Sequence, residues 1–131
     1  MTELEIKKIL DKEPLLTNHG IGSHDNYFMY TVDTTNPHFI QHRSELLNKG
    51  AQIEACVKWL RKFESTKTIN RSIGSSERLK SYVEKECKTY VTNGAFIAAL
   101  IYLDIPFESF MNYPFVDVGL KSIEEGVNVS K

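Results

Sequence analysis

Tyr90-Val91-Thr92-Asn93-Gly94-Ala95-Phe96-Ile97-Ala98-Ala99-Leu100-Ile101-Tyr102-Leu103 is the stretch that decides the fold. Nine consecutive residues, Ala95 to Leu103, are apolar, and the run stops at Asp104 and Pro106. That is about half of the ~20 residues needed to cross a bilayer. A helix that is apolar all round must instead be enclosed by other helices or lie at a subunit interface. Thr92 or Asn93 is placed to cap it, since a short polar side chain at that position accepts hydrogen bonds from the first free amides. Ala95, Ala98 and Ala99 would let a neighbour approach closely.

Outward from this helix, the pattern predicts amphipathic neighbours. Leu79, Tyr82, Val83 and Cys87 form one apolar face, with Ser75 or Ser76 as its N-cap after a polar loop from Ser65 to Ser76. Ile53, Cys56, Val57, Leu60 and Phe63 recur at steps of three and four, with Trp59 beside them, and give the clearest helical period in the chain. Pro37 suits a first helical turn, so His38 to Lys49 reads as a helix, with Gly50 as its stop or a kink. Thr2 and Glu5 make a capping box for a first helix with a stripe of Leu4, Ile6, Ile9 and Leu10, ended by Pro14.

Tyr27 to Val32 is β-prone and predicts one strand, paired with a distant strand or a second copy of the chain. Phe107, Phe110, Tyr113, Phe115, Val116 and Val118 predict an aromatic return that wraps the central helix before a last turn at Ser122 to Glu125. With 131 residues, no internal repeat and no linker, the expectation is a single domain, 1–131. Its class is mainly α (α+β), a compact helical domain with a central apolar helix and a minor β component.

The composition is that of a globular protein, 41% apolar and 25% charged. The acidic start Met1-Thr2-Glu3-Leu4-Glu5 lacks the apolar core of a signal peptide, which predicts a cytoplasmic protein with no membrane association. Cys56 and Cys87 each fall in a predicted helix rather than a Cys-x-x-Cys pair, so both are expected as free thiols. The net charge of −1 conceals polarity: Lys58 to Lys80 holds seven basic residues against Glu64 and Glu77.

All four histidines, His19, His24, His38 and His42, fall within 24 residues. His38 and His42 are spaced i, i+4 and Glu45 follows a turn later, so the three can share a helix face, with His19, His24 or Asp25 brought in by the loop as further metal ligands. The metalloprotease motif His-Glu-x-x-His is missing from His38-Phe39-Ile40-Gln41-His42, and solvated histidines are the competing reading. Asn18 to His24 has glycines but neither Gly-Lys-Ser/Thr nor dinucleotide spacing, and reads as a mobile surface loop. No Gly-x-Ser-x-Gly appears, and no cofactor is implied.

The helices flanking Thr92-Asn93-Gly94 suggest helix-turn-helix only superficially, because Ala95 to Leu103 has no side chain to read base edges. If nucleic acid is bound, the candidates are Arg61, Lys62, Lys67, Arg71, Arg78 and Lys80, acting on phosphates without sequence preference.

Lys67-Thr68-Ile69-Asn70, Ser75-Ser76-x-x-Leu79-Lys80, Glu84 and above all Tyr90-Val91-Thr92-Asn93-Gly94-Ala95-Phe96-Ile97-Ala98-Ala99 resemble a pattern that recurs in small bacterial proteins of phages, plasmids and genomic islands. The family pattern also has Tyr-Gly between the Ser pair and Leu-Lys, followed by His. Glu77, Arg78 and Ser81 stand there in this chain. No activity is attached to that family, so the resemblance carries over no functional residue. It implies an accessory protein of a mobile element, one that works by binding. The expectation is therefore a non-catalytic interaction protein with a protein partner and self-association as a homodimer; nonspecific nucleic-acid binding and a metal-dependent enzyme are the alternatives.

Overall fold

A computed structural model describes residues 1–22, 33–109 and 114–121. In chain order its elements are α1 (Glu3–Lys12), β1 (Leu16–Thr17), β2 (Gly20–Ile21), α2 (Pro37–Glu45), α3 (Gly50–Leu60), α4 (Ser76–Cys87), α5 (Asn93–Tyr102), β3 (Phe107–Ser109) and β4 (Val116–Val118). Short 3-10 turns at Leu46–Asn48 and Arg71–Ile73 follow α2 and precede α4. The fold is mainly helical with a minor β component, two small antiparallel hairpins. Among the described residues no helix is long and apolar enough to cross a membrane.

α5 is the centre. Thr92 caps it, its Oγ1 accepting the Ala95 amide at 3.1 Å, and every residue from Asn93 to Ile101 is buried. Its most extensive packing is on α3, with α1, α4 and the β1–β2 hairpin on its other sides. Trp59 of α3, 1% exposed, lies 6.4 Å from the Phe96 ring and 4.6 Å from Phe63. Because this cover comes from the same chain, α5 keeps no apolar face for a partner. Of the two alternatives for such a helix, enclosure by neighbours is the one realised.

The local signals act much as the sequence indicates, with instructive exceptions. Thr2 and Glu5 form the full capping box, and Ile6, Ile9 and Leu10 are buried. Leu4 is not part of that stripe; it is 64% exposed, one step round the helix from the buried face. Gly50 does not stop a helix. α2 has already ended at Glu45, and Gly50 is the first residue of α3, where a Cβ would overlap the Met1 carbonyl oxygen. Ser75 holds the N-cap position of α4 but makes no capping hydrogen bond. Cys56 is buried and Cys87 half-buried, both as free thiols; burial, with Cys87 nearby, pushes the Cys56 pKa up and holds it as an inert thiol.

The β structure lies elsewhere than expected. Tyr27–Val32 and Ser122–Glu125 lie outside the described residues. The strands that are described are β1 with β2, in register Leu16↔Ile21 and Thr17↔Gly20, and β3 with β4, in register Phe107↔Val118, Glu108↔Asp117 and Ser109↔Val116. The stretch from Asn18 to Gly22, expected as a mobile loop, is a hydrogen-bonded turn and strand with Gly20, Ile21 and Gly22 buried. Four of its five amides have these partners: Asn18 N–H donates to the His42 carbonyl (2.8 Å), His19 N–H to Thr17 Oγ1 (3.1 Å), Ile21 N–H to the Pro114 carbonyl (3.2 Å) and Gly22 N–H to the Leu15 carbonyl (2.7 Å). Gly20 makes this turn with φ +123°, a region open mainly to glycine.

The N-terminus of α5 joins these pieces. The Asn93 side-chain amide donates to the His19 carbonyl at 3.0 Å and the Pro114 carbonyl at 2.8 Å, while its oxygen accepts from Ser76 Oγ at 2.6 Å. Ser76 Oγ in turn accepts the Val116 amide at 3.0 Å. Gly94 donates its amide to the Asn18 carbonyl at 3.1 Å. The β1–β2 turn presses so closely that a Cβ on Gly94 would overlap the Thr17 carbonyl oxygen and the Asn18 backbone. Gly94→Ala should therefore destabilise the protein by about 1–3 kcal/mol through backbone displacement, although alanine is the better helix former; urea unfolding reads the loss, and unchanged or raised stability would refute the packing account.

Candidate metal centre

The described residues contain one cluster of convergent metal-ligating side chains, and two elements build it. α2 begins where Asn36 Oδ1 accepts the His38 amide at 2.8 Å and Pro37 occupies the first turn. On this helix His42 and Glu45 are three residues apart and so share a face. The third member, His19, sits in the two-residue turn between β1 and β2, which the Asn18 amide fastens directly to the His42 carbonyl.

Arg43 fixes α2 against the rest of the chain. Its Nη2 donates to the Leu10 carbonyl at 2.6 Å, and its Nη1 lies at 3.0, 3.1 and 3.1 Å from the carbonyls of Glu13, Pro14 and Leu16. One guanidinium thus gathers the C-terminal end of α1, the link after it and the start of β1. Its planar fork can engage several acceptors at once, which an ammonium cannot.

In the cluster His19 Nε2 lies 3.1 Å from His42 Nδ1, and His42 Nδ1 lies 2.9 Å from Glu45 Oε1. The imidazoles meet edge to face, centroids 4.2 Å apart at 79°, and the three ligand atoms all lie within 4.8 Å of one another. A tetrahedral ion with bonds of about 2.0–2.1 Å has ligand–ligand edges of about 3.3 Å. Two of the three separations, 3.1 and 2.9 Å, are close to that figure. Whichever tautomer each imidazole adopts, a proton on His42 Nδ1 can be donated fully to only one of its two neighbours, whereas a cation takes a lone pair from all three atoms. The His42 and Glu45 side chains are 23% and 39% exposed, so an ion can reach them from solvent. Two imidazoles and a carboxylate suit zinc and its first-row neighbours rather than calcium, magnesium or copper(I).

Of the histidines singled out in the sequence, the structure thus brings His19 and His42 together with Glu45. His38 is exposed on the first turn of α2 and outside the group. His24 and Asp25 lie outside the described residues. Thr17, Asn93 and Arg43, which position the cluster, carried no such signal; the closest was Gly94, a glycine inside a helical pattern, which commonly marks close backbone approach.

Three of the six basic candidates pair with carboxylates. Lys62 pairs with Glu86, Arg71 with Glu108 (3.1 Å) and Asp117 (3.5 Å), and Lys80 with Glu84 (3.5 Å). Arg78 donates to the Tyr82 hydroxyl at 2.8 Å and lies over its ring. Arg61 and Lys67 are exposed, on the end of α3 and in the loop that follows. No family model, curated protein or solved structure matches this chain.

Arg43→Lys keeps the charge but leaves most of the four carbonyls without a donor, and should cost about 1–3 kcal/mol in unfolding free energy. Thermal and urea melts check this; a variant as stable as the parent would show that water replaces the guanidinium without loss.

Proposed function

We propose that this chain is a metal-binding protein that takes one divalent transition-metal cation of the zinc class through His19 Nε2, His42 Nδ1 and Glu45 Oε1. The observation that carries the reading is the convergence of three lone-pair donors, 3.1 and 2.9 Å apart in sequence of contact, from two separately anchored elements. It is a binding function and needs no nucleophile or acid–base pair. It departs from the protein–protein role expected from the sequence and takes up the histidine ligands of the metal-enzyme alternative without its catalysis. The likeness of Tyr90–Ala99 to proteins of mobile elements supports a bacterial accessory protein as the setting, and the proposal extends to that. The ion pairs within the basic strip argue against phosphate-polymer binding as the main role, because the carboxylates lower the potential that would attract a polyanion.

Protein freed of metal with a chelator and titrated with cobalt(II) should take up one ion per chain and develop visible d–d absorption, with zinc displacing the cobalt. His19→Ala and His42→Ala should each lower the affinity at least about tenfold, Glu45→Gln should weaken it, and His38→Ala should leave it unchanged. Absence of uptake by the parent protein, or uptake indifferent to His19→Ala and His42→Ala together, would overturn the assignment.

A further inference from the structure

His19 is the ligand that comes from outside α2, so the geometry of the site depends on how its turn is held. Both polar backbone groups of His19 are engaged: the amide donates to Thr17 Oγ1 at 3.1 Å and the carbonyl accepts from Asn93 Nδ2 at 3.0 Å. Both anchoring side chains are buried, Thr17 at 0% and Asn93 at 6% exposure. Thr17 Oγ1 passes its own proton to the Gly22 carbonyl at 2.6 Å, which leaves its lone pairs facing the His19 amide. The Asn93 amide can sit only one way round. Its nitrogen faces two carbonyl oxygens, which accept only, and its oxygen faces the Ser76 hydroxyl.

From this arrangement we infer that Thr17 and Asn93 are positioning residues for the metal: neither touches the ion, yet together they fix the backbone of His19 and so the place of its imidazole opposite His42 and Glu45. The inference rests on the metal reading of the His19–His42–Glu45 cluster and assigns to it a supporting shell that reaches from β1 to the N-terminus of α5. It gives the Thr92-Asn93-Gly94 segment a part in the site as well as in the packing. Ligand-orienting groups of this kind commonly set metal affinity by about ten- to a hundredfold.

Ser76 provides the internal control, because it bonds the far end of the Asn93 amide and the Val116 amide but makes no contact with His19. Cobalt(II) titrations of the full chain, below the melting temperature of each variant, test the inference. Asn93→Asp, which keeps the oxygen toward Ser76 and replaces the donor nitrogen, should weaken cobalt binding about ten- to a hundredfold and reduce the visible band intensity. Ser76→Ala should lower thermal stability and leave affinity and spectrum within about twofold of the parent. Thr17→Val should reproduce the loss of affinity, and Thr17→Ser, which restores the hydroxyl, should recover it; this pair decides the matter if Asn93→Asp does not fold. Parent-like cobalt binding by Thr17→Val and Asn93→Asp, or an equal loss in Ser76→Ala, would overturn the positioning role while leaving the metal site intact. A parent protein that takes up no cobalt would instead overturn the metal reading and the inference with it.

Discussion

The side-chain amide of Asn93, buried at the first turn of α5, is the interaction on which the architecture turns. Strands of two residues cannot satisfy their own turn carbonyls, and a hairpin that short has no independent stability. The β1–β2 turn gets partners for its carbonyls from Asn93 Nδ2 and the Gly94 amide, and the segment before β4 has its Pro114 carbonyl held by the same amide. Each buried polar group left without a partner costs about 1–3 kcal/mol. Removing the Asn93 amide would take a donor from the His19 and Pro114 carbonyls, the latter keeping the Ile21 amide, and would leave the Ser76 hydroxyl without its acceptor. Gly94 is the steric counterpart of that chemistry, because hydrogen bonds of ordinary length to the turn require its backbone to pass where any Cβ would stand.

The helices were legible because their signals are local. The Thr2–Glu5 box, the Pro37 start, the Thr92 cap and the three-four spacing of α3 all lie within a turn or two of what they specify. The hairpins were not. Leu16–Thr17 and Gly20–Ile21 are two residues each, too short to show the alternation of a strand, and their conformation is held by α2, α5 and the Pro114 carbonyl. Two of the three candidate ligands were legible for the same reason, His42 and Glu45 being one helical step apart, while His19 was one of several loop candidates and arrives through a turn held by Thr17 and Asn93. Arg43 shows the limit plainly. It reads as a solvated basic residue on a helix, and only the fold returns four carbonyls from residues 10 to 16 to its guanidinium.

Charge along the chain also proves a poor guide to charge in space. Lys58 to Lys80 is strongly basic as a sequence, yet Lys62, Arg71 and Lys80 meet carboxylates from α4, β3 and β4. Exposed pairs of this kind contribute little to stability, commonly about 0–1 kcal/mol. Their consequence is for recognition, because a polyanion would have to compete with resident carboxylates at three of the six positions. The His19–His42–Glu45 group differs in kind. There the donors converge on a point instead of spreading along a surface, and a single compact cation matches them.

The size of the core decides what role a metal can have. Zinc folds the smallest domains because they lack enough apolar surface to fold alone. Here one cluster of buried side chains runs from Ile6 through Trp59, Phe96 and Leu100 to Leu120, and the turn carrying His19 is fastened to α2, β1 and α5 by four hydrogen bonds, two backbone–backbone and two to the side chains of Thr17 and Asn93, that need no ion. The ligands are thus held near their binding separations before a cation arrives. Little of the coordination free energy is then consumed in ordering the chain, and it appears as affinity. Because the ion would join residues 23 apart in sequence, and only the folded chain presents them together, binding also raises stability in proportion to the logarithm of metal concentration above Kd. On the metal reading, a site so prepared would act as a receptor for its ion and not as a staple for its fold.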